Sequence, residues 1–465
     1  MSTTGLHWND AAFAVARDGR LVSCSPSIVL ADPSRPQLRG QSARGVERLT
    51  PRLVSTDHWA ALARLGSHVP AATIAIARSE LAHRLEETTR SSPLQCAVSA
   101  AFDESLDTLL AIARLEQIEI GGFHDAAVLA TAAAGLRSTT LVLEIGLAHV
   151  TVTRVEPSNG QLRRRAAITK SAMGQLALRQ AWLQLIGEAM VLATRFDPLH
   201  DAASEQRLYD QLPEAIAHAA STGVCSIELP AGQNGLRIDL ARDQFAEAAA
   251  EIYRLILQAI HELRPAGQRV NLLIEKSATT FPGFLQRLTE LRHCRIFVGV
   301  EGSAASLASC LDARPEPDGS VAVNRGCSVE LPAAFLAQHA EERAEEIDMS
   351  AFPGSVMRAP THVLWEGRAV ALPVDGSLEI GRDPGTGGLR LADGLAGVSR
   401  LHCSLRSEAG VVSLIPHASQ GTWLNEERVQ GRIPVASGDR LRLGHPGVIL
   451  DFIAVGGAGD GAPQG

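Results

Sequence analysis

Hydrophobic and polar positions divide this chain into stretches with two different patterns. Between residues 94 and 324, apolar runs of strand length alternate with longer segments of helical spacing. Strands are predicted at residues 94–100, 118–121, 139–145, 149–155, 161–169, 224–229, 235–240, 270–274 and 295–298. Helices are predicted at 102–116, 125–136, 174–219 in two segments, 244–263 with Asp243 as N-cap, 281–291 and 303–312. This alternation is typical of an α/β domain.

The two ends of the chain carry different patterns. Residues 5–22 alternate around Asp18-Gly19 as in a β-hairpin, a short strand is predicted at 25–30, and residues 58–87 have helical spacing. Residues 332–352 form an Ala/Glu-rich run with helical character, and Pro and Gly around residues 353–360 indicate a linker. The predicted division is a first domain at 1–331, a charged linker at 332–360, a β domain at 361–456 and a flexible tail at 457–465.

Composition restricts the function classes. With 45% hydrophobic and 20% charged residues, the 465-residue chain is typical of globular proteins, and its net charge of −8 argues against non-specific binding to nucleic acid. No apolar run reaches the roughly 18 residues of a membrane helix, and the N-terminus lacks the features of a signal peptide. Seven scattered cysteines without CxxC pairs favour reduced thiols and a cytoplasmic location. The histidines show no metal-ligand spacing, and no nucleophile motif is present, so neither a metal nor a catalytic residue is predicted.

The stretch from Glu379 to Asn425 carries a set of residues suited to an anion. Arg382 directly follows a strand-like run, and hydroxyl and amide groups lie in turn-like sequence further on. A guanidinium, two hydroxyls and a loop amide at one end of a β-sandwich suit a phosphate through charge-assisted hydrogen bonds. The candidate ligand residues are Arg382, Ser399, Arg400, Ser419, Gln420, Gly421, Thr422 and Asn425.

The order of these residues resembles the forkhead-associated (FHA) domain, a β-sandwich that binds phosphothreonine peptides. The resemblance covers about residues 361–456 and is carried by Gly381-Arg382, Ser399-x-x-His402, Gly421-Thr422, Asn425, 437–439 and 443–444. It implies that Arg382 and Ser399 hold the phosphate with help from Arg400 and Ser419, and that Gly381 and His402 are structural. The family usually has Asn where this chain has Gln420, which changes the expected contact to the peptide backbone.

The order of elements over residues 5–326 resembles the nucleotide-binding domain of DnaK-type chaperones, a two-lobed actin-like ATPase fold. The resemblance is carried by Asp18-Gly19 with Ser25-Pro26-Ser27, by Leu143 to Val152 as the second phosphate hairpin, and by Val270 to Ile274 with Phe281-Pro282-Gly283. It implies an α/β first domain of that fold in front of the all-β FHA sandwich. The peptide-binding and lid regions of the chaperones have no counterpart before the β domain.

The nucleotide-contacting positions of that family are changed in this chain. The first loop contains Asp10 but no glycine, the second keeps only Gly146 beside Glu144, and Glu275-Lys276 replaces paired glycines. Phosphoryl transfer depends on phosphate loops and metal ligands, so we expect an inactive ATPase fold with no cofactor. Weak binding of ATP and Mg²⁺ at this degenerate site stays open as an alternative.

Two main function hypotheses follow. In the first, the protein is a bacterial scaffold that docks onto a protein phosphorylated on threonine by a Ser/Thr kinase, and the first domain serves in assembly. In the second, it is a divergent ATP-dependent machine regulated through the FHA-like domain. A third hypothesis places the phosphorylated element in the chain's own linker, at Thr361 or Ser355.

Overall fold

A computed structural model describes most of the chain, in two compact units. The first unit consists of Met1–Leu263 with Arg269–Phe352, and the second mainly of Pro353–Gly465. The described residues are 3–32, 37–65, 68–86, 93–230, 235–265, 268–291, 294–318, 320–339, 343–349, 359–392, 394–395, 397–425, 427–437, 439–445 and 447–454.

Seventeen strands are described in the first unit. They are β1 (Thr4–Trp8), β2 (Phe13–Arg17), β3 (Arg20–Ser25), β4 (Val29–Leu30), β5 (Val54–Ser55), β6 (Leu94–Val98), β7 (Ile120–Asp125), β8 (Thr140–Ile145), β9 (His149–Ser158), β10 (Gln161–Ser171), β11 (Val224–Leu229), β12 (Leu236–Ala241), β13 (Val270–Ile274), β14 (Cys294–Val298), β15 (Val323–Asn324), β16 (Gly326–Ser328) and β17 (Glu345–Glu346). Its described helices are α1 (Gly40–Arg44), α2 (His58–Leu65), α3 (Ala71–Arg84), α4 (Leu106–Leu115), α5 (Ala126–Ala133), α6 (Gln175–Thr194), α7 (Ala202–Thr222), α8 (Arg242–Ala248), α9 (Ala250–Leu263), α10 (Phe284–Leu288), α11 (Ser303–Ala308) and α12 (Ala333–Gln338).

Two sheets of the first unit repeat one topology. One has the order β15-β7-β6-β1-β2-β3, and the other has the order β16-β10-β9-β8-β13-β14-β17. In each sheet, three consecutive strands form an antiparallel meander: β1 to β3 in one and β8 to β10 in the other. Two later strands then continue the sheet from the first strand of the meander, parallel to it: β6 and β7 beside β1, and β13 and β14 beside β8. The hairpin turns β1–β2 and β8–β9 are therefore equivalent positions in the two sheets.

Helices α5 and α11 join the two sheets into one body. Their alanine-rich faces share a buried apolar cluster with Ala97 of β6 and Leu273 of β13, one residue from each sheet. Small side chains allow this close packing: a Cβ added at Gly5 of β1 would lie 2.1 Å from the carbonyl oxygen of Ala305 in α11. The outer faces of the sheets bury separate cores, one against α2 to α4 and one against α6 to α10.

The second unit is a sandwich of two mainly antiparallel sheets. Its described strands are β18 (His362–Trp365), β19 (Arg368–Ala371), β20 (Gly376–Gly381), β21 (Leu389–Arg390), β22 (Cys403–Glu408), β23 (Val411–Pro416), β24 (Thr422–Leu424), β25 (Glu427–Arg428), β26 (Ile433–Val435), β27 (Arg440–Leu443) and β28 (Val448–Ile453). The sheet orders are β19-β18-β28-β27-β24-β25 and β21-β20-β22-β23-β26. Alternate residues of both sheets, such as Leu441 and Leu405, face inward and form one core.

Several predicted boundaries differ from the structure. The first unit continues beyond residue 331, because Phe335 of α12 is buried in its core and Glu345–Glu346 of β17 pairs with β14. The charged run therefore ends in a strand, where a helix was predicted. The predicted helix 244–263 is two helices separated at Ala249, and the N-cap of the first is Ala241 rather than Asp243. The predicted tail and residue Ser355 lie outside the described residues.

Three further findings concern the described part of the chain. None of its helices combines the length and apolar character needed to cross a membrane. All seven cysteines lie in the described part, and none of them forms a disulfide within it. Within the same described ranges, no group of three or more His, Cys, Asp or Glu residues is arranged to hold a metal ion.

Candidate functional site

The loop after β20 places Arg382 at one end of the sandwich. Its backbone N–H donates to the carbonyl of Ser399 at 3.1 Å, and its Nε donates to the carbonyl of Val398 at 2.6 Å. Gly381 makes this close approach possible, since a Cβ there would lie 1.9 Å from the carbonyl oxygen of Arg400. The guanidinium is thus fixed by its Nε while its terminal amino groups extend from a half-buried position.

His402 ties two loops together beneath this site. Its ring is fully buried, its Nδ1 accepts the N–H of Ser399 at 3.1 Å, and its Nε2 donates to the carbonyl of Gly421 at 2.8 Å. Its own carbonyl accepts the N–H groups of His417 and Ala418. One imidazole therefore sets the spacing between the loop at residues 397–402 and the loop at 417–421.

The hydrogen bonds of His402 define its protonation state. A ring that accepts at Nδ1 and donates at Nε2 is the neutral Nε2–H tautomer, assigned here from its partners. Burial lowers the pKa of His402, and the hydrogen bond to Gly421 opposes this only in part. The neutral ring is consistent with a structural role, which agrees with the role implied by the resemblance.

The loop at 417–421 presents two polar side chains to solvent. Ser419 and Gln420 are exposed, and the chain then turns at Gly421, whose φ of +93° belongs to the region that favours glycine. The Gly421 carbonyl accepts two hydrogen bonds, one from the N–H of Gly444 and one from Nε2 of His402, and these bonds fix the loop to the sandwich. Thr422 is buried in β24, and its hydroxyl has no side-chain partner within the described residues. It lies below the loop rather than at its surface.

Asn425 holds the turn that follows β24. Its Nδ2 donates to Oδ1 of Asp439 at 2.7 Å, and its Oδ1 accepts the N–H of Arg440 at 2.8 Å. Its backbone has a φ of +51° and also pairs with the carbonyl of Arg440. Both ends of the amide are engaged within the sandwich, so Asn425 shapes the turn after β24, and its contact with a peptide stays a prediction.

The remaining candidates share one chemical character. Arg382 and Arg400 supply guanidinium groups, Ser399 and Ser419 supply hydroxyls, and Gln420 supplies an amide, all half-buried or exposed on the loops at residues 381–383, 397–402 and 417–421. Such a set can bind a dianion by charge-assisted and bidentate hydrogen bonds without covalent chemistry. It holds no nucleophile paired with a base.

A β-sandwich with polar, basic loops at one end is an arrangement suited to binding an anionic ligand. Residues 378–444 match the family model of the FHA domain. FHA domains bind phosphothreonine-containing proteins, so this region supports a role in protein interaction. A comparison of the chain with curated proteins gives no match.

The predicted nucleotide site lies where the two hairpins of the first unit meet. Oδ1 of Asp10, in the β1–β2 turn, accepts the N–H of Leu147, in the β8–β9 turn, at 2.8 Å. Oδ1 of Asn9 accepts the N–H of Ala11 at 3.0 Å. These backbone amides, of the kind that a phosphate loop offers to its ligand, are thus satisfied by carboxylate and amide oxygens of the chain itself. Gly146 leaves no free space for a ligand in this turn, since the space beside it is filled by the chain itself: a Cβ added there would lie 2.7 Å from Oδ1 of Asp10.

The carboxyl ends of the parallel strands β8 and β13 bring two further acidic side chains, Glu144 and Glu275, to this place. Oε2 of Glu144 accepts the hydroxyl of Ser99 at 3.1 Å, and its Oε1 lies 3.7 Å from Nε2 of His7. Nδ2 of Asn9 donates to Oε1 of Glu275 at 2.7 Å. Burial raises the pKa of Asp10, and burial followed by the charge of Glu144 raises the pKa of Glu275 to about 8. The centre therefore collects three acidic side chains, which is unfavourable for a polyphosphate.

A cavity of about 270 Å³ adjoins these residues inside the first unit. Glu144, Glu275 and Lys276 line it, as the sequence suggested, together with Arg179. Asp10 and Gly146 do not line it and lie in the locked hairpin turns beside it. Sequence reasoning missed Asn9, which bonds to both the first loop and Glu275, although its place directly after β1 was a usable signal.

Thr361 lies far from the basic loops of its own sandwich. Its N–H donates to the carbonyl of Ile453 at the end of β28, whereas β28 begins beside the turn that contacts Gly421. A strand of this length spans about 17 Å. The hypothesis that phosphorylated Thr361 binds the basic loops of its own chain stays a prediction.

Proposed function

We propose that this protein is a phosphothreonine-dependent scaffold, with the second unit as the reader and the first as a pseudo-ATPase used in assembly. The main support for this proposal is the arrangement of the loops at one end of the sandwich. His402 hydrogen-bonds to both Ser399 and Gly421, and the guanidinium of Arg382 is fixed beside them. Its partner is a protein phosphorylated on threonine by a Ser/Thr kinase. No part of this role requires a catalytic residue, a metal or a cofactor in this chain.

The doubled topology of the first unit supports the actin-like assignment. Each sheet carries one hairpin at the position of a phosphate loop, and the two hairpins face each other, as in a two-lobed fold with its ligand between the lobes. The contact from Asp10 to the Leu147 amide supports loss of catalysis. A carboxylate in that position repels a phosphate and competes for its hydrogen-bond donor.

A phosphopeptide series tests the proposed role of the second unit. Full-length protein is titrated with a phosphothreonine peptide library and with the unphosphorylated peptides. We expect binding that needs the phosphate and that Arg382→Ala weakens by at least about tenfold, the loss of a charge-assisted bidentate contact. Arg406→Ala, an exposed arginine on β22 paired with Glu408, is the matched control and should bind as the parent does. Equal binding of phosphorylated and unphosphorylated peptides would refute the proposal.

The alternative is a divergent ATP-binding machine, and the cavity lined by Glu144 and Lys276 is the observation that favours it. Calorimetry with Mg-ATP separates this alternative from the pseudo-ATPase assignment. We expect no heat and no hydrolysis at millimolar nucleotide. Saturable binding that Lys276→Ala removes would support the alternative and contradict the pseudo-ATPase assignment.

A further inference from the structure

A row of four side chains crosses the outer face of one sheet of the sandwich, next to the basic loops. Strand register places Arg428 of β25 opposite Trp423 of β24, Trp423 opposite Arg442 of β27, and Arg442 opposite Ile449 of β28. Their sequence neighbours on β24, β27 and β28 are buried in the core, so these four face outward. We call this set the Trp423 row.

The Trp423 row begins where the loop at 417–421 ends. Trp423 lies two residues after Gly421, and a Cβ on Gly421 would be 2.4 Å from the indole ring. Nη1 of Arg442 donates to the carbonyl of Gly444, whose own N–H bonds to Gly421. A polypeptide held at the loop end therefore needs about two or three extended residues to reach the row.

The chemistry of the row suits a particular kind of polypeptide. The guanidinium of Arg442 stacks 4.0 Å above the Trp423 ring, which fixes it as a planar donor. Arg428 is exposed, and the side chain of Ile449 is 47% exposed. Tryptophan and arginine are the residues most enriched where binding energy concentrates, and the row itself contains two arginines and no carboxylate in a chain of net charge −8.

We propose that the Trp423 row binds an acidic segment, with an apolar residue among its acids, that flanks the phosphothreonine in the partner. This inference rests on the proposed function, since the phosphate at Arg382 delivers the flanking segment to the row. The carboxylates pair with Arg428 and Arg442, and the apolar residue covers Ile449. Charge complementarity of this kind adds selectivity among phosphorylated proteins.

The test uses the full-length chain and two kinds of peptide. One is a short phosphothreonine peptide with alanine and serine flanks, and the other carries in addition an Asp-Glu-Phe-Asp segment on its N-terminal or its C-terminal side. We expect one of the extended peptides to bind about tenfold or more tightly than the short one. Arg428→Glu and Ile449→Glu should remove that gain and leave the affinity for the short peptide unchanged. Both positions are exposed, so neither change disturbs the core.

The outcomes separate this inference from the proposed function. Arg406→Glu, on the other sheet, is the control and should keep the full gain. If the short peptide binds but neither extension adds affinity, or if Arg428→Glu keeps the gain, the inference is overturned and the reader role stands. If no phosphopeptide binds, the proposed function itself fails. Should Arg428→Glu change only the sedimentation mass of the free protein, the row is a self-association surface and the inference is likewise overturned.

Discussion

Glu275 provides a physical test of the first unit, because its carboxyl has very different pKa values in the folded and unfolded chain. Burial, and then the charge of Glu144, raises its pKa from 4.5 to about 8. The folded state consequently binds this proton more strongly than the unfolded state does. The contribution of Glu275 to stability is fully present below pH 4.5 and is lost as the pH rises through about 8.

The size of this loss follows from the pKa difference. One pKa unit corresponds to about 1.4 kcal/mol, so the rise from 4.5 to about 8 corresponds to about 5 kcal/mol of unfolding free energy lost well above pH 8. Glu275→Gln keeps an acceptor oxygen for Nδ2 of Asn9 and removes the ionisable group. We expect the variant to match the parent near pH 5 and to exceed it by several kcal/mol near pH 9.

The assay is hydrogen–deuterium exchange of the full-length chain from pH 5 to 9, after correction for intrinsic exchange, with the amides of β13 and β8 as reporters. These adjoining strands belong to the first unit, so the second unit does not enter the measurement. Glu301→Gln is the control, because Glu301 lines the same cavity but is exposed. Parallel pH profiles for the parent and Glu275→Gln would refute the reasoning.

Three other substitutions test the packing and the loop end. Glu80→Gln should lower the unfolding free energy at pH 7 by about 3–5 kcal/mol in urea, since it breaks buried contacts to His58 and Arg84. Burial alone would raise the pKa of Glu80, but hydrogen bonding and charge from His58, then Arg84, hold it at about 2. The parent should therefore lose this stabilisation as the pH falls from 4.5 towards 2, and a flat profile would contradict it. Gly381→Ala should weaken phosphopeptide binding about tenfold or more, because the added Cβ would displace the Arg400 loop. Gly431→Ala is the control and should keep the affinity, because the space around Gly431 is open. Equal affinities of the two variants would contradict the loop geometry. His402→Ala should shift the amide NMR signals of residues 399 and 421 and weaken binding similarly, and unchanged signals would rule out its bridging role.

Local pattern was enough to predict most of the longer strands of the first unit, for a physical reason. Strands buried on both faces are nearly continuous apolar runs, as in Val270–Ile274 with Asn271 as its one polar residue, and a run of that length between helices has few other interpretations. The pattern did not predict β17, because two glutamates in a charged run have no strand signal of their own. Their place depends on an open edge of β14, which is a tertiary property.

The loop residues show the same division between local and tertiary information. Arg382, Ser399 and His402 were identified in the sequence, and the structure brings all three together. Asn425 was assigned to the peptide, yet its amide is engaged by Asp439 and Arg440. Residue type alone cannot distinguish an amide that binds a ligand from one that holds a turn, since the difference lies in partners about 15 residues away.

The two units make opposite use of loop donors at the end of a sheet. In the first unit, Asp10 occupies the amide of Leu147, so the donor that would hold a phosphate is already satisfied. In the second, the only side-chain bond described for Arg382 runs through its Nε, and the rest of the guanidinium extends from the loop end. A buried carboxylate on an amide is costly to displace, because the incoming anion must replace its hydrogen bond and lies next to the carboxylate charge. Anion binding is therefore expected at Arg382 and not at Leu147, and this difference favours the proposed reader role of the smaller unit.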